Sequence, residues 1–296
     1  MPIHTVPRRL IAAVAVLGTA APLLAGCALR STDPEHDTKL ALDHIHGLAV
    51  DPATGILFIA SHGGIYTLDG LTSGAELDGP VAGNDFDAMG FTFVDGVMYA
   101  SGHPGKNSPE HFGDQNLGLI RSDDAARTWD NISAAGEADF HDLAVAVSDT
   151  NRIYANNYGI VHRSDDGGRT WSEGAGIDAW DITVDPTDPD TVYASTSLGL
   201  QISTDGGRTF NLDPDAPRMG RIALFDDGRL VGDSVDGHIV YQAADGQWVT
   251  GPEVVGAAQA LAVTPDQEVL LVDDRGIQKS TTLTTFELLY RPEPHI

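Results

Sequence analysis

Histidine residues are concentrated where the chain can bring several of them to one ion. His44 and His46 are separated by one residue, and in an extended chain positions i and i+2 point to the same side. His62 follows the next apolar segment, and His103 follows the corresponding segment after that. Imidazole groups suit Zn²⁺ or Cu²⁺, and with Cys27 as the single cysteine a thiolate cluster is excluded. The sequence therefore predicts about one divalent ion, Zn²⁺ or Cu²⁺.

Carboxylates are expected near these histidines. Three apolar alternating segments each begin with an aspartate. One interpretation is that they complete a ring of ligands, and the other is that they bond the backbone of a neighbouring strand. The histidines have the same two interpretations, with plain surface exposure as a third. The candidate metal or ligand residues are His44, His46, His62, Asp87, His103, His111, His141, Asp142 and Asp181.

The element that must position these side chains is a repeat. The pattern S-x-D-x-G-x-T-W occurs three times, with small departures, and its serines are 42 and 39 residues apart. A short Asp can accept hydrogen bonds from its own turn, Gly can take positive φ, and the aromatic residue anchors the next strand. These positions are therefore interpreted as structural turns: Ser122, Asp124 and Trp129; Ser164, Asp166, Gly168 and Trp171; Ser203, Asp205, Gly207 and Phe210. Ala126 replaces Gly in the first copy and predicts a looser turn there.

The repeat resembles the Asp-box (BNR-repeat) β-propellers, a family that includes sialidases, sortilin-type receptors and a photosystem assembly factor. The resemblance implies a propeller with the boxes on the turns between third and fourth strands. It implies little about function, because one fold carries many functions.

Six pairs of apolar segments predict the two inner strands of six blades. The expected innermost strands are 46–50, 87–91, 142–146, 181–185, 220–224 and 259–263, and the second strands are 56–61, 97–101, 152–156, 191–195, 230–233 and 269–272. The fold class is thus an all-β, six-bladed propeller of four-stranded blades. An insertion over His103 to Leu117 exceeds the repeat length, as functional loops often do.

The N-terminus predicts export and lipid anchoring. Arg8 and Arg9 precede an apolar segment that ends in Leu-Ala-Gly-Cys27, which resembles a bacterial lipoprotein signal. The expected organisation is a signal peptide over 1–26, a flexible tether over 27–42 and the propeller over 43–296. Removing 1–26 changes the formal net charge from −26 to −28. Such a surface repels nucleic acid. The expected membrane contact is the lipidated Cys27 on the extracytoplasmic face.

A sialidase assignment lacks its motifs. The resemblance would require three convergent arginines, a Tyr–Glu pair and an Arg-Ile-Pro motif, and this sequence has no Arg-Ile-Pro. Glu110 and Tyr158 are the nearest substitutes for the pair, and no catalytic residue is predicted. The favoured function is a non-enzymatic, membrane-tethered propeller that binds a metal ion, a small ligand or a protein partner. An assembly or scaffold factor is the second hypothesis, and a glycoside hydrolase is the third.

Overall fold

Six four-stranded antiparallel sheets form the propeller in the computed structural model, which describes Leu42 and residues 44–292. The six-bladed prediction is confirmed. The predicted signal peptide, Cys27 and most of the tether lie outside the described residues. Blade by blade, the strands are β1 (Ile45–Val50), β2 (Leu57–Ser61), β3 (Gly64–Leu68) and β4 (Leu77–Asp78); β5 (Asp87–Val94), β6 (Val97–His103), β7 (Leu119–Ser122) and β8 (Asp130–Ser133); β9 (Asp142–Val145), β10 (Ile153–Asn157), β11 (Ile160–Ser164) and β12 (Ser172–Gly176); β13 (Ala179–Val184), β14 (Val192–Thr196), β15 (Gly199–Ser203) and β16 (Asn211–Leu212); β17 (Met219–Leu224), β18 (Leu230–Ser234), β19 (His238–Gln242) and β20 (Trp248–Glu253); β21 (Ala260–Val263), β22 (Val269–Asp273), β23 (Gly276–Ser280) and β24 (Glu287–Tyr290).

The innermost strand of each blade contacts the innermost strands of both neighbouring blades, and β21 contacts β1 to close the ring. Each blade consists of consecutive strands, so no strand is exchanged between the first and last blades. The carbonyl of Leu289 in β24 accepts a hydrogen bond from the Gly74 N–H at 3.2 Å, which places the final strand beside the first blade. The last described strand of the chain thus lies beside the blade that begins the propeller.

The hydrophobic core lies between blades, because each sheet buries both faces against its neighbours. Phe58 and Ala60 of the first blade pack with Phe86, Ala88 and Met98 of the second. The second strands are the most deeply buried, and every residue of β2 and of β22 is buried. Leu42, the last residue of the predicted tether, is buried in the cluster formed by the first and sixth blades. Packing on both faces explains why small and β-branched residues dominate these segments.

The three copies of the repeated serine–aspartate pattern form the same hydrogen-bonded turn. In the second copy, Ser164 Oγ donates to Asp166 Oδ1 at 2.8 Å and accepts from the Gly168 N–H at 2.8 Å. Asp166 also accepts from the backbone and the hydroxyl of Thr170. The first copy makes the equivalent bonds, with Ala126 N–H donating to Ser122 Oγ at 3.0 Å and Ala126 at φ 64°. The first turn thus keeps the hydrogen bonds of the other two with alanine in the left-handed conformation, at slightly longer distances.

Candidate metal centre at the channel mouth

The six innermost strands surround a central channel with a volume of about 490 Å³. We call the end where these strands begin the mouth. His46, His141, Asp142, Asp181 and Arg221 line the channel at this end.

Three of the predicted ligands, His46, His62 and Asp87, meet at the mouth, and we call them the His46 site. His46 is the second residue of β1, His62 is at the β2–β3 turn, and Asp87 is the first residue of β5 in the next blade. One ligand atom from each lies within 4.8 Å of the other two. His46 is the extra residue of a β-bulge between Ile45 and Gly47, and a bulge of this kind re-aims a side chain at the end of a strand.

The spacing of the ligand atoms fits a small divalent ion. His46 Nε2 lies 3.5 Å from His62 Nδ1 and 3.5 Å from Asp87 Oδ1. Ligand atoms about 2 Å from a tetrahedral ion are about 3.3 Å apart, which is close to both distances. His62 Nδ1 lies nearer to Asp87 Oδ2, at 2.9 Å, which is a hydrogen-bond distance.

The environment of Asp87 also favours a bound cation. Its Oδ1 is buried and has His46 Nε2 at 3.5 Å, which is too far for a strong hydrogen bond, and a buried carboxylate oxygen is stable when it is paired or coordinates a metal. Burial raises the pKa of Asp87, but the hydrogen bonds and charges of His46 and His62 outweigh it, so the pKa is below its ordinary value. The carboxylate is therefore ionised at neutral pH, as metal binding requires.

His44 lies beside this site. Its ring centroid is 4.9 Å from that of His46 and 5.7 Å from that of His62. Its carbonyl oxygen accepts a hydrogen bond from the His62 N–H at 3.3 Å. His44 is not one of the three residues whose ligand atoms converge within 4.8 Å. The i, i+2 pair thus reaches the same place, but His44 supports the His46 site from its edge.

His103 and His141 meet a carboxylate that sequence reasoning missed, Asp139. His141 Nε2 lies 2.8 Å from Asp139 Oδ2, and His103 Nε2 lies 3.6 Å from the same oxygen. We call His103, Asp139 and His141 the Asp139 cluster. The hydrogen bond to Asp139 raises the pKa of His141. Asp139 lies before β9 begins, so an aspartate at the first position of a strand, the signal that marked Asp142, does not mark Asp139.

Asp142 and Asp181 are engaged with backbone instead. Asp142 Oδ2 accepts from the Ile182 N–H of the next blade, and Asp181 Oδ2 accepts from the Ile222 N–H of the blade after that, at 2.7 Å. Burial raises the pKa of both groups, and for Asp142 the neighbouring charge of Asp181 adds to the effect. Of the two interpretations, these contacts fit the structural one.

The register explains why Asp87 differs from these two aspartates. Each box serine is paired with a residue of the second strand, and that pair gives a common reference position in the three blades. Three residues further along the second strand are Ser101, Asn156 and Ser195. Their partners on the innermost strands are Gly90, Asp142 and Asp181. The expectation that Asp87 occupies the equivalent position is therefore wrong, because Asp87 lies three residues earlier in the chain than Gly90.

His111 lies in the insertion and is not brought to either group. Its Nε2 lies 3.4 Å from the Trp129 carbonyl oxygen, and its ring contacts that of Phe112, with centroids 4.6 Å apart. Phe112 is fully buried in the core of the second blade, so it anchors this part of the insertion.

The arginines near the mouth do not converge. Arg275 is paired with Asp273, Arg218 donates to the Ser197 carbonyl at 2.6 Å, and Arg221 donates to the Trp180 carbonyl at 3.2 Å. Their guanidinium groups are directed to separate partners, unlike the convergent arginines that the sialidase resemblance would require.

Comparison with known proteins supports the fold. No protein-family model and no curated protein matches this sequence. The structure is similar to a chain of a nidogen/laminin complex, with a TM-score of 0.61, 11% identity and coverage of 80% of this chain and 93% of that one. It is also similar to a gluconolactonase from Xanthomonas campestris, with a TM-score of 0.59, 17% identity and coverage of 81% and 86%. A xyloglucanase from Xanthomonas campestris gives a TM-score of 0.54 and 16% identity, and the match covers 82% of this chain and 45% of that enzyme, so this chain spans less than half of its length. At such identities the similarity shows a β-propeller fold.

Among the described residues, no helix is long and apolar enough to cross a membrane.

Proposed function

We propose that this protein is a binding propeller whose mouth holds one divalent metal ion through His46, His62 and Asp87. The observation that carries the proposal is the position of His46 Nε2, 3.5 Å from both His62 Nδ1 and the buried Asp87 Oδ1. Two imidazoles and one carboxylate favour Zn²⁺ or Cu²⁺ over Ca²⁺ or Mg²⁺, which prefer oxygen ligands alone.

The chemistry of such a site is binding at an accessible ion. Three protein ligands leave at least one position of a tetrahedral ion for water or an external ligand. His46 also lines the channel, so a small ligand in the channel would be next to the ion. The function that we assign to the propeller is therefore binding of an external ligand to the metal ion. This function needs no catalytic residue.

The proposal also includes membership in the Asp-box propellers and a lipid anchor at Cys27. Three boxes with the same hydrogen bonds support the family assignment. The signal-like segment before Cys27 supports the anchor. Cys27→Ser should move the protein from the membrane fraction to the soluble fraction. A variant that still sediments with membranes would contradict the lipid anchor.

The metal proposal is tested by metal content. The full-length protein, purified in detergent, stripped with a chelator and re-equilibrated with Zn²⁺, should retain an ion at the His46 site. His46→Ala with His62→Ala should remove that ion and leave the thermal melt intact. The matched control is His162→Ala with His238→Ala, which also removes two imidazoles, but from the third strands of the third and fifth blades, outside the His46 site. Metal retention that is equal in the two double variants would overturn the proposal.

A scaffold role is the second candidate, and exposed apolar residues favour it. Tyr158, Leu198 and Val235 are 76%, 72% and 51% exposed, and each is at the turn between the second and third strands of its blade. Large exposed apolar residues clustered on one side are typical of a surface that meets a protein partner. The double variant Tyr158→Ser, Leu198→Ser should lose co-purification of a protein partner, and its metal content should be unchanged. If the partner co-purifies equally with that variant, this surface is not the contact.

A further inference from the structure

The Asp139 cluster repeats the His46 site one blade further around the mouth. His62 and His103 each stand one residue past the equivalent second-strand positions Ser61 and Gly102, at the turn to the third strand. Each contacts an aspartate of the following blade, at 2.9 Å for His62 and Asp87 and at 3.6 Å for His103 and Asp139.

The two aspartates are equivalent as well. Asp87 stands three residues before Gly90, and Asp139 stands three residues before Asp142, which is the register equivalent of Gly90. The third ligand differs in origin, since His46 belongs to the earlier blade and His141 to the later one. The mouth therefore contains two His–Asp–His arrangements in which the turn histidine and the aspartate repeat from one blade to the next and the third residue does not.

Asp139 is a buried carboxylate with one oxygen that has no hydrogen-bond partner. Its side chain is 6% exposed, and its Oδ1 is buried without a hydrogen-bond partner. A carboxylate taken out of water is costly unless it is paired or coordinates a metal. Oδ2 faces the two histidines, whereas Oδ1 has no donor to offset its removal from water.

The hydrogen bond at the other side of His103 fixes its tautomer. His103 Nδ1 lies 3.1 Å from the Gln115 carbonyl oxygen. A carbonyl only accepts, so Nδ1 carries the proton, and Nε2 of the neutral ring presents a lone pair. That lone pair faces Asp139 Oδ2 at 3.6 Å, which brings two acceptors together. Histidine ligands of metals typically donate their other N–H to a backbone carbonyl in this way.

We propose that His103, Asp139 and His141 form a second divalent-cation site, distinct from the His46 site and not dependent on it. An ion here replaces the proton that joins His141 to Asp139, so binding releases that proton to solvent. Among the described residues, the ligand atoms that converge within 4.8 Å are those of the His46 site, so the Asp139 cluster must close around its ion. The His103 and His141 side chains are 42% and 53% exposed, which leaves the His141 ring room to turn toward an ion between buried Asp139 and His103. Asp87 and His103 are opposite each other in the antiparallel β5–β6 pair, where paired side chains share one face, so the two ions would be close neighbours at the mouth.

Zn²⁺ titration of the chelator-stripped full-length protein tests this proposal by stoichiometry. The expected values are two ions for the unmodified protein, one for His103→Ala with His141→Ala, and one for His46→Ala with His62→Ala. Asp139→Asn, which preserves the size of the side chain, should also reduce the stoichiometry to one. The His162→Ala, His238→Ala variant should still bind two, and a thermal melt of each variant shows that it is folded.

The outcomes separate the two metal proposals. One ion that is lost with His46 and His62 but kept without His103 and His141 overturns the second site and leaves the first. One ion with the opposite dependence retains the second site and overturns the first. If each double variant removes all binding, the residues form a single shared site, and a distinct second site is excluded. Binding of no ion overturns both.

Discussion

Asp87 and Asp181 are both near the start of an innermost strand at the mouth, yet they have different partners. Asp181 accepts the Ile222 N–H of the next blade, whereas Asp87 contacts His46 and His62 of the preceding blade. The difference follows from register, because Asp181 occupies the position that Gly90 occupies in the second blade. Three residues earlier, a side chain faces the turn of the preceding blade instead of the backbone of the next.

The comparison shows how a duplicated unit acquires a site without losing its fold. Aspartate at the register position connects blades, as Asp142 and Asp181 do. Aspartate three residues earlier, as in Asp87 and Asp139, meets a histidine at the neighbouring turn. In the next repeat the turn carries Tyr158 in place of histidine, so the arrangement is not continued there.

The largest expected effect is on metal affinity. Asp87→Ala should weaken Zn²⁺ binding at the His46 site by about 100-fold or more, since loss of an outer-shell partner alone typically costs 10–100-fold. Asp181→Ala should leave that affinity unchanged, because Asp181 does not contact the two histidines. Calorimetric titration of both variants measures the contrast, and equal losses would show that the two aspartates have the same role.

The second expected effect is on the pH dependence of stability. Burial raises the pKa of Asp233 from 3.8 to about 6, so the folded protein binds this proton more tightly than the unfolded chain does. Stability from this group is fully present below about pH 4 and is lost as pH rises through 6, by at most about 3 kcal/mol.

Asp233→Asn keeps an acceptor for the Arg221 N–H and removes the titration. The free energy of unfolding of the unmodified protein should therefore fall, relative to that of this variant, between pH 4 and pH 7. Parallel curves for the two proteins over that range would contradict the assignment.

The third expected effect isolates the connection between blades. Asp181→Asn retains an oxygen that can accept the Ile222 N–H, whereas Asp181→Ala leaves that N–H without a partner. Asp181→Ala should be less stable than Asp181→Asn by about 1–3 kcal/mol, the usual cost of an unsatisfied buried donor. Denaturant unfolding of the two variants measures the difference. Indistinguishable midpoints would mean that the hydrogen bond contributes nothing.

The smallest effect concerns the boxes at the other ends of the blades. Gly168 has φ +84°, and an added Cβ would meet Leu119 Cδ2, so Gly168→Ala should destabilise by about 1–2 kcal/mol from the left-handed conformation alone. Ala126 already accepts a positive φ at the equivalent place, so Ala126→Gly should change stability by less than about 1 kcal/mol. Thermal melts compare the two, and a larger loss at Ala126 than at Gly168 would reverse this ranking.

The sequence carried enough information for the blade count and for most strand positions. Small and β-branched residues in alternating segments mark strands that are buried between neighbouring sheets, so β2 and β22 were recognisable from their residues. The box residues were recognisable as turns because their hydrogen bonds are local, within a few residues. The His46 and His62 pairing also followed from spacing, because the two residues belong to one blade.

Contacts between blades were decided only by the tertiary structure. The sequence placed Asp87, Asp142 and Asp181 together, but a shift of three residues changes which neighbouring blade a side chain faces. Asp139 was missed, and His111 was grouped with the mouth although it contacts Trp129. Local patterns fix strands and turns because their hydrogen bonds are short-range. The ligands of each proposed ion come from strands of different blades, and only packing of those blades brings them within bonding distance.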